Sequence, residues 1–124
     1  MNCSGASDLR LIAGTTFAFG ATWQSQDGDQ LVPVDISGCT ARFQMRDVTS
    51  GGLLVEATTE KGNIEIPNGP DGQVNVSIHP DDTKSLEAAK VGDVAYELRV
   101  YFPSGDVYSL MSGFVAIVEG VIRD

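Results

Sequence analysis

The stretch SIHPDDTKSL places the chain's single histidine, His79, directly before Pro80, Asp81 and Asp82. An imidazole beside two carboxylates is the residue set of a proton relay or of part of a metal site. A closed zinc site needs four converging ligands, and the sequence has no second histidine. Asp81 or Asp82 can instead cap a helix start, because a carboxylate accepts the backbone N–H groups orphaned in the first turn. Pro80 suits the same place, where its missing N–H is no loss. The expectation is a solvated His79 beside capping acids, with no metal bound.

Other chemistry is weaker still. A covalent mechanism needs a nucleophile, a base and a group that orients the base, and the lone His79 sits in no such motif. GTT and GATW are not nucleophile elbows, and no phosphate-binding glycine loop occurs. Asp27–Asp29 (DGD) and Gly69–Gly72 (GPDG) resemble fragments of calcium loops but lack the spaced acidic pattern and the distal Glu. With seventeen acids, pairs of carboxylates are inevitable and mark no glycosidase by themselves. The residues therefore predict no catalytic, cofactor-binding or metal-binding position, no cofactor, and no enzyme.

The elements that would position any site are strands. Apolar residues recur with period two. Phe17, Phe19, Ala21 and Trp23 share one face; so do Ala41, Phe43 and Met45; so do Val74, Val76 and Ile78; so do Tyr96, Leu98, Val100 and Phe102. Alternation of this kind gives strands with one dry and one wet face, as in antiparallel sheets. Turn signals separate the runs: Asp27-Gly28, the TSGG after Val48, Asn68-Gly69 with Asp71-Gly72, and Pro103-Ser104-Gly105. The segment PDDTKSLEAAKVGD lacks alternation and is rich in helix formers. The prediction is an all-β, antiparallel β-sandwich of about seven to nine strands, with one short helical crossover of two to three turns near residues 80–91. The last strand, SGFVAIVEG, is apolar on both faces, so it is expected to sit centrally or to meet another chain.

Composition narrows the function classes. The 124 residues suit one domain, expected over 8–124 behind a polar leader at 1–7. Seventeen acids against eight bases leave a formal charge of −9, which disfavours nucleic acid, whose affinity comes from Lys and Arg on phosphates. No apolar run approaches the ~20 residues of a membrane-spanning helix, and MNCSGASDLR lacks the basic and apolar regions of a signal peptide. Neither nucleic acid nor membrane is expected as a partner. Free thiols are expected at Cys3 and Cys39.

Two resemblances add to this reading. GDVAYELRV resembles the start of strand F in immunoglobulin-like domains, where a Gly/Asp turn precedes a tyrosine whose hydroxyl closes the corner. Asp93 and Tyr96 match that structural corner, and the crossover matches the connection before it. Leu98 stands where antibody domains carry a cysteine, and the antibody-type core Trp is missing. The order of blocks from DLRLIAGTTFAFGATW through DISGCTARFQMRD and GNIEIPNGPDGQVNVSIHPDDTKSL to YELRVYFPSGDVYSLMSGFVAIVEG, about residues 8–118, is similar to small phage virion proteins associated with the tail or baseplate. It resembles in particular the immunoglobulin-like N-terminal domain of phage baseplate upper proteins.

That resemblance implies a non-enzymatic structural component of a bacteriophage virion, made in the host cytoplasm and attached to the tail, neck or baseplate. It implies partners among other phage structural proteins in a symmetric multi-copy assembly. It identifies no functional residue. The alternatives are a capsid decoration protein and a small carbohydrate- or peptide-binding module. From the residues themselves, Tyr101 and Tyr108 point away from the core phase near the last hairpin and are candidate contacts. Phe114, Val121 and Ile122 are candidates because little chain remains to cover them, and the leader is expected to join them at an interface. The net charge favours a partner with a basic docking patch.

Overall fold

The computed structural model describes residues 9–84, 86, 93–118 and 121. The leader, Cys3 and Ile122 lie outside these residues. Among the described residues, ten strands run in chain order: β1 (Leu9–Ile12), β2 (Phe17–Thr22), β3 (Gln24–Asp27), β4 (Gln30–Pro33), β5 (Thr40–Asp47), β6 (Leu53–Thr58), β7 (Ile64–Glu65), β8 (Gln73–Ile78), β9 (Val94–Tyr101) and β10 (Val107–Val118). A five-stranded sheet, β1-β10-β9-β5-β6, faces a three-stranded one, β2-β8-β7. The remaining pair, β3-β4, forms a separate hairpin. The expected sandwich is present, and its two sheets hold eight strands. Each pairing is antiparallel except β1 with β10, which is parallel, Leu9 to Ile12 lying beside Val115 to Val118.

The dry phases read from sequence form the core. Ala41, Phe43 and Met45 on β5, Val74, Val76 and Ile78 on β8, and Tyr96, Leu98 and Val100 on β9 are all buried. Phe43 and Leu98 are adjacent in register, and each is fully inaccessible. Phe43 meets Phe17 and Phe19 from the opposite sheet at ring-centroid distances of 6.5 and 5.3 Å, and Tyr96 of its own sheet at 5.9 Å. Contact between side chains joins the layers here.

Turn residues act as their chemistry requires. Gly28 takes φ 64° at the first position of the two-residue loop between β3 and β4, the geometry such hairpins favour. PNGPDG, expected as a hairpin turn, holds a short 3₁₀ helix, Gly69–Asp71, between β7 and β8. Gly72 after it has φ 68°, and a Cβ there would lie 2.5 Å from the Trp23 carbonyl oxygen. At that point the Trp23 N–H donates to the Gly72 carbonyl, and the Val34 N–H donates to that of Trp23.

The crossover is described in part, without residue 85. Its described helix, α1, is one turn, Pro80–Thr83, and Leu86 beyond it is buried but not helical. The cap is His79, not Asp81 or Asp82: its Nδ1 accepts from the Asp81 N–H at 3.1 Å. Pro80 does stand at the helix start. Thr83 anchors the turn. Its fully buried Oγ1 accepts from the Gly14 N–H at 3.1 Å and lies 2.8 Å from the Thr15 carbonyl. Residues 87–92 lie outside the described residues.

Two substitutions test this packing. Leu98→Ala is expected to lower the unfolding free energy by about 2–5 kcal/mol in a urea series, the range for a large buried aliphatic side chain. Thr83→Val leaves the Gly14 donor without its partner and is expected to lower it by about 1–3 kcal/mol. An unchanged midpoint for Thr83→Val would show that the hydroxyl does not carry this junction.

Candidate functional site

His79 and the acids after it do not converge into a site. His79 is exposed, and its Nδ1 lies 3.4 Å from an Asp81 carboxylate oxygen, a local contact at the helix cap. Among the described residues, no group of three or more His, Cys, Asp or Glu side chains could hold a metal ion. Cys39 is half-buried and unbridged. Burial, reinforced by the charge of Asp35, raises its thiol pKa above the ordinary value, which suppresses the reactive thiolate.

The distinctive surface is the outer face of the five-stranded sheet. Because side chains alternate, the same strands that bury Phe43 and Leu98 turn Arg42, Gln44 and Arg46 (β5) and Glu97, Arg99 and Tyr101 (β9) outward. Registers align these into rows across the sheet. Glu56, Gln44, Glu97 and Ser112 form one row; Arg42, Arg99 and Ser109 form the next; Leu53, Arg46, Ala95 and Phe114 form a third. The rows line an open groove of about 670 Å³, bordered by Arg42, Arg46, Arg99, Tyr101, Ser112 and Phe114 among others.

Hydrogen bonds lock the acidic row. Gln44 Nε2 donates to Glu56 at 2.6 Å and Lys61 Nζ donates to its other oxygen at 3.3 Å. The Gln44 bond, then the Lys61 bond, hold the Glu56 pKa below its ordinary 4.5. Burial acts to raise the Glu97 pKa, but hydrogen bonds from Arg99 and Ser109 prevail and lower it. Arg42 and Arg99 lie directly opposite each other, a like-charge pairing that destabilises a sheet. Carboxylates offset it: Arg42 Nε is 3.8 Å from Glu56, and Arg99 Nε is 3.0 Å from Glu97. The Arg42 guanidinium also sits 5.8 Å from the centre of the Tyr101 ring, within cation–π range.

Charge is segregated over the molecule. Arg10, Arg42, Arg46 and Arg99 lie on this face with Lys61 at its margin; Glu56 and Glu97 are the acids of its outward rows, and Asp47 ends β5. The face is locally positive on a chain of formal charge −9. This local charge is opposite in sign to the net charge from which a basic partner patch is expected.

The candidate contacts are divided by the fold. Tyr101 and Phe114 share the outer face, and Phe114 is 57% exposed. Tyr108 does not join them. It packs against Trp23 at 5.4 Å and Phe102 at 5.6 Å, an aromatic trio closing one end of the sandwich, although it remains 47% exposed. The cause is a β-bulge: Ser109 pairs with Arg99 but Met111 pairs with Leu98, so Leu110 is the extra residue. One inserted residue exchanges the faces of everything before it, and simple alternation counted back from Phe114 places Tyr108 on the wrong side. Val121 is 94% exposed beyond β10. Within β10, Val115 is buried while Phe114 and Ala116 are exposed, and the strand lies inside the sheet between β1 and β9. Tyr96 is buried, and the carbonyl of Asp93 accepts from the Val48 N–H at 2.9 Å.

No protein-family model matches the chain, and no curated relative matches it. Among solved structures it is similar to one from a photo-crosslinking study of multimeric cell-adhesive interactions of VGSC beta subunits. The identity is 11%, the alignment covers 95% of this chain and 96% of that chain, and the TM-score is 0.51. The likeness identifies the sandwich as immunoglobulin-like.

The network on the face has a measurable pH signature. The Glu56 pKa is lowered on folding, so the stabilisation is complete above the ordinary 4.5 and is lost as pH falls through the folded value. A carbon-13 titration is expected to place the Glu56 midpoint below 4.5, and Gln44→Leu is expected to move it upward. A wild-type midpoint at or above 4.5 would mean that the row is not formed in solution.

Proposed function

We propose that this chain is a non-enzymatic structural component of a bacteriophage virion, attached at the tail, neck or baseplate, and that it docks through the outer face of its five-stranded sheet. The observation that carries the docking role is the composition of that face. Arginine and aromatic residues dominate the energetics of protein interfaces, and here Arg42, Arg46, Arg99, Tyr101 and Phe114 surround one groove. The network of Gln44, Glu56 and Lys61 holds part of the face in place before binding, which reduces the ordering cost of association. The virion setting rests on the order of sequence blocks that resembles small phage tail and baseplate proteins. Attached to a particle, the chain would be one of several copies among other structural proteins.

The groove also supports a second reading, a peptide-binding module, because its mixture of guanidinium and ring surfaces suits an acidic peptide. The two readings separate on particles. Mass spectrometry of gradient-purified virions from the encoding phage is expected to find the chain at fixed stoichiometry. Arg42→Glu combined with Arg99→Glu is expected to reduce its occupancy at least tenfold while circular dichroism stays unchanged. Recovery of the wild-type chain only from the soluble lysate would overturn the virion reading, and full occupancy of the double variant would overturn docking through this face.

A further inference from the structure

The hairpin β3–β4 stands apart from the sandwich. All eight of its strand residues are exposed, with Leu31 at 63% and Val32 at 38%. It buries no side chain of its own, so its exposed aliphatic residues have no role in this fold's core. Its charge is of one sign. Asp27 and Asp29 flank Gly28 at the tip, and no Lys or Arg occurs between Arg10 and Arg42. The turn is built to one shape by the positive φ of Gly28, and the Gln26 amide donates to the Gly28 carbonyl at 3.0 Å. Asp27 pairs in register with Gln30 at the base of that turn.

The molecule thus carries an acidic, aliphatic projection and, elsewhere, a basic groove with aromatic walls. We propose that the occupant of the groove is the β3–β4 hairpin of a second copy of this chain. Asp27 and Asp29 would face Arg42 and Arg99, supplying the carboxylates that an opposed arginine pair favours. Leu31 would cover apolar surface beside Phe114. The contact is head-to-tail, because the two patches differ, so repeated copies close into a ring or continue as a row. Two chains of charge −9 repel each other in most orientations. Opposite patches at contact distance favour one orientation over the rest. At ~0.15 M salt the Debye length is about 8 Å, which screens the long-range repulsion more than the contacts themselves. The inference rests on the docking face above, but names a different partner from a neighbouring virion protein.

A charge-swap series measured by sedimentation velocity at 0.15 M salt, with chain concentrations from micromolar to about 1 mM, tests it. Wild type is expected to shift from monomer toward higher mass as concentration rises. Arg42→Glu/Arg99→Glu and Asp27→Lys/Asp29→Lys are each expected to remain monomeric, with unchanged circular dichroism. An equimolar mixture of the two variants is expected to regain association, since each then meets its complement. A wild type that stays monomeric throughout would overturn the proposal, as would association that neither double variant weakens or a mixture that stays monomeric. If wild type is monomeric and yet occupies virions through Arg42 and Arg99, the docking face stands and the second-copy assignment fails alone.

Discussion

The fold depends on the packing of one ring. Phe43, on β5 between β9 and β6, reaches across to Phe17 and Phe19 of the three-stranded sheet, while Tyr96 flanks it from β9. Aromatic side chains bury large areas and prefer tilted or edge contacts, and these geometries fix both the spacing and the relative position of the two layers. With the sheets set in this way, the outward halves of β5 and β9 are placed without further instruction. The arginine-bearing face is the reverse side of the aromatic core.

Much of the fold was legible because burial and alternation agree. Phe43, Leu98, Val76 and Tyr96 lie in the predicted dry phases because each occupies an uninterrupted two-residue repeat. Legibility failed where the repeat is broken. The extra residue at Leu110 leaves no mark in the sequence, since no glycine or proline flags it among Ser109, Met111 and Ser112, and unbroken alternation puts Tyr108 on the outer face. In the crossover, Thr83 ties the one described helical turn to the β1–β2 turn, and most of the helix-forming run after it lies outside the described residues. His79 was expected as a bystander, and its ring nitrogen serves the capping role assigned to the aspartates.

The candidate face was only half visible. Tyr101 and Phe114 stood out as outward rings, but the clustering of arginines did not, because net charge averages over the chain. Arg42, Arg46 and Arg99 are far apart or unremarkable in sequence and become neighbours only through the β5–β9 register. Setting Arg42 directly against Arg99 conflicts with sheet stability, and such local conflicts concentrate at functional sites. Glu56 and Glu97 limit the conflict without removing it, which leaves the face complementary to acidic surfaces.

The parallel pairing of β1 with β10 has a mechanical consequence. Leu9–Ile12 and Val115–Val118 run side by side in the same direction, one preceding the rest of the sandwich in the chain and the other following it. Tension applied to the chain before β1 and after β10 pulls these strands past each other along their axes. Their hydrogen bonds are then loaded in shear and share the force, instead of opening one at a time as in an unzipping hairpin. The sheet edge formed by β1 is a short mechanical clasp, and the aromatic core behind it carries no load until that clasp slides.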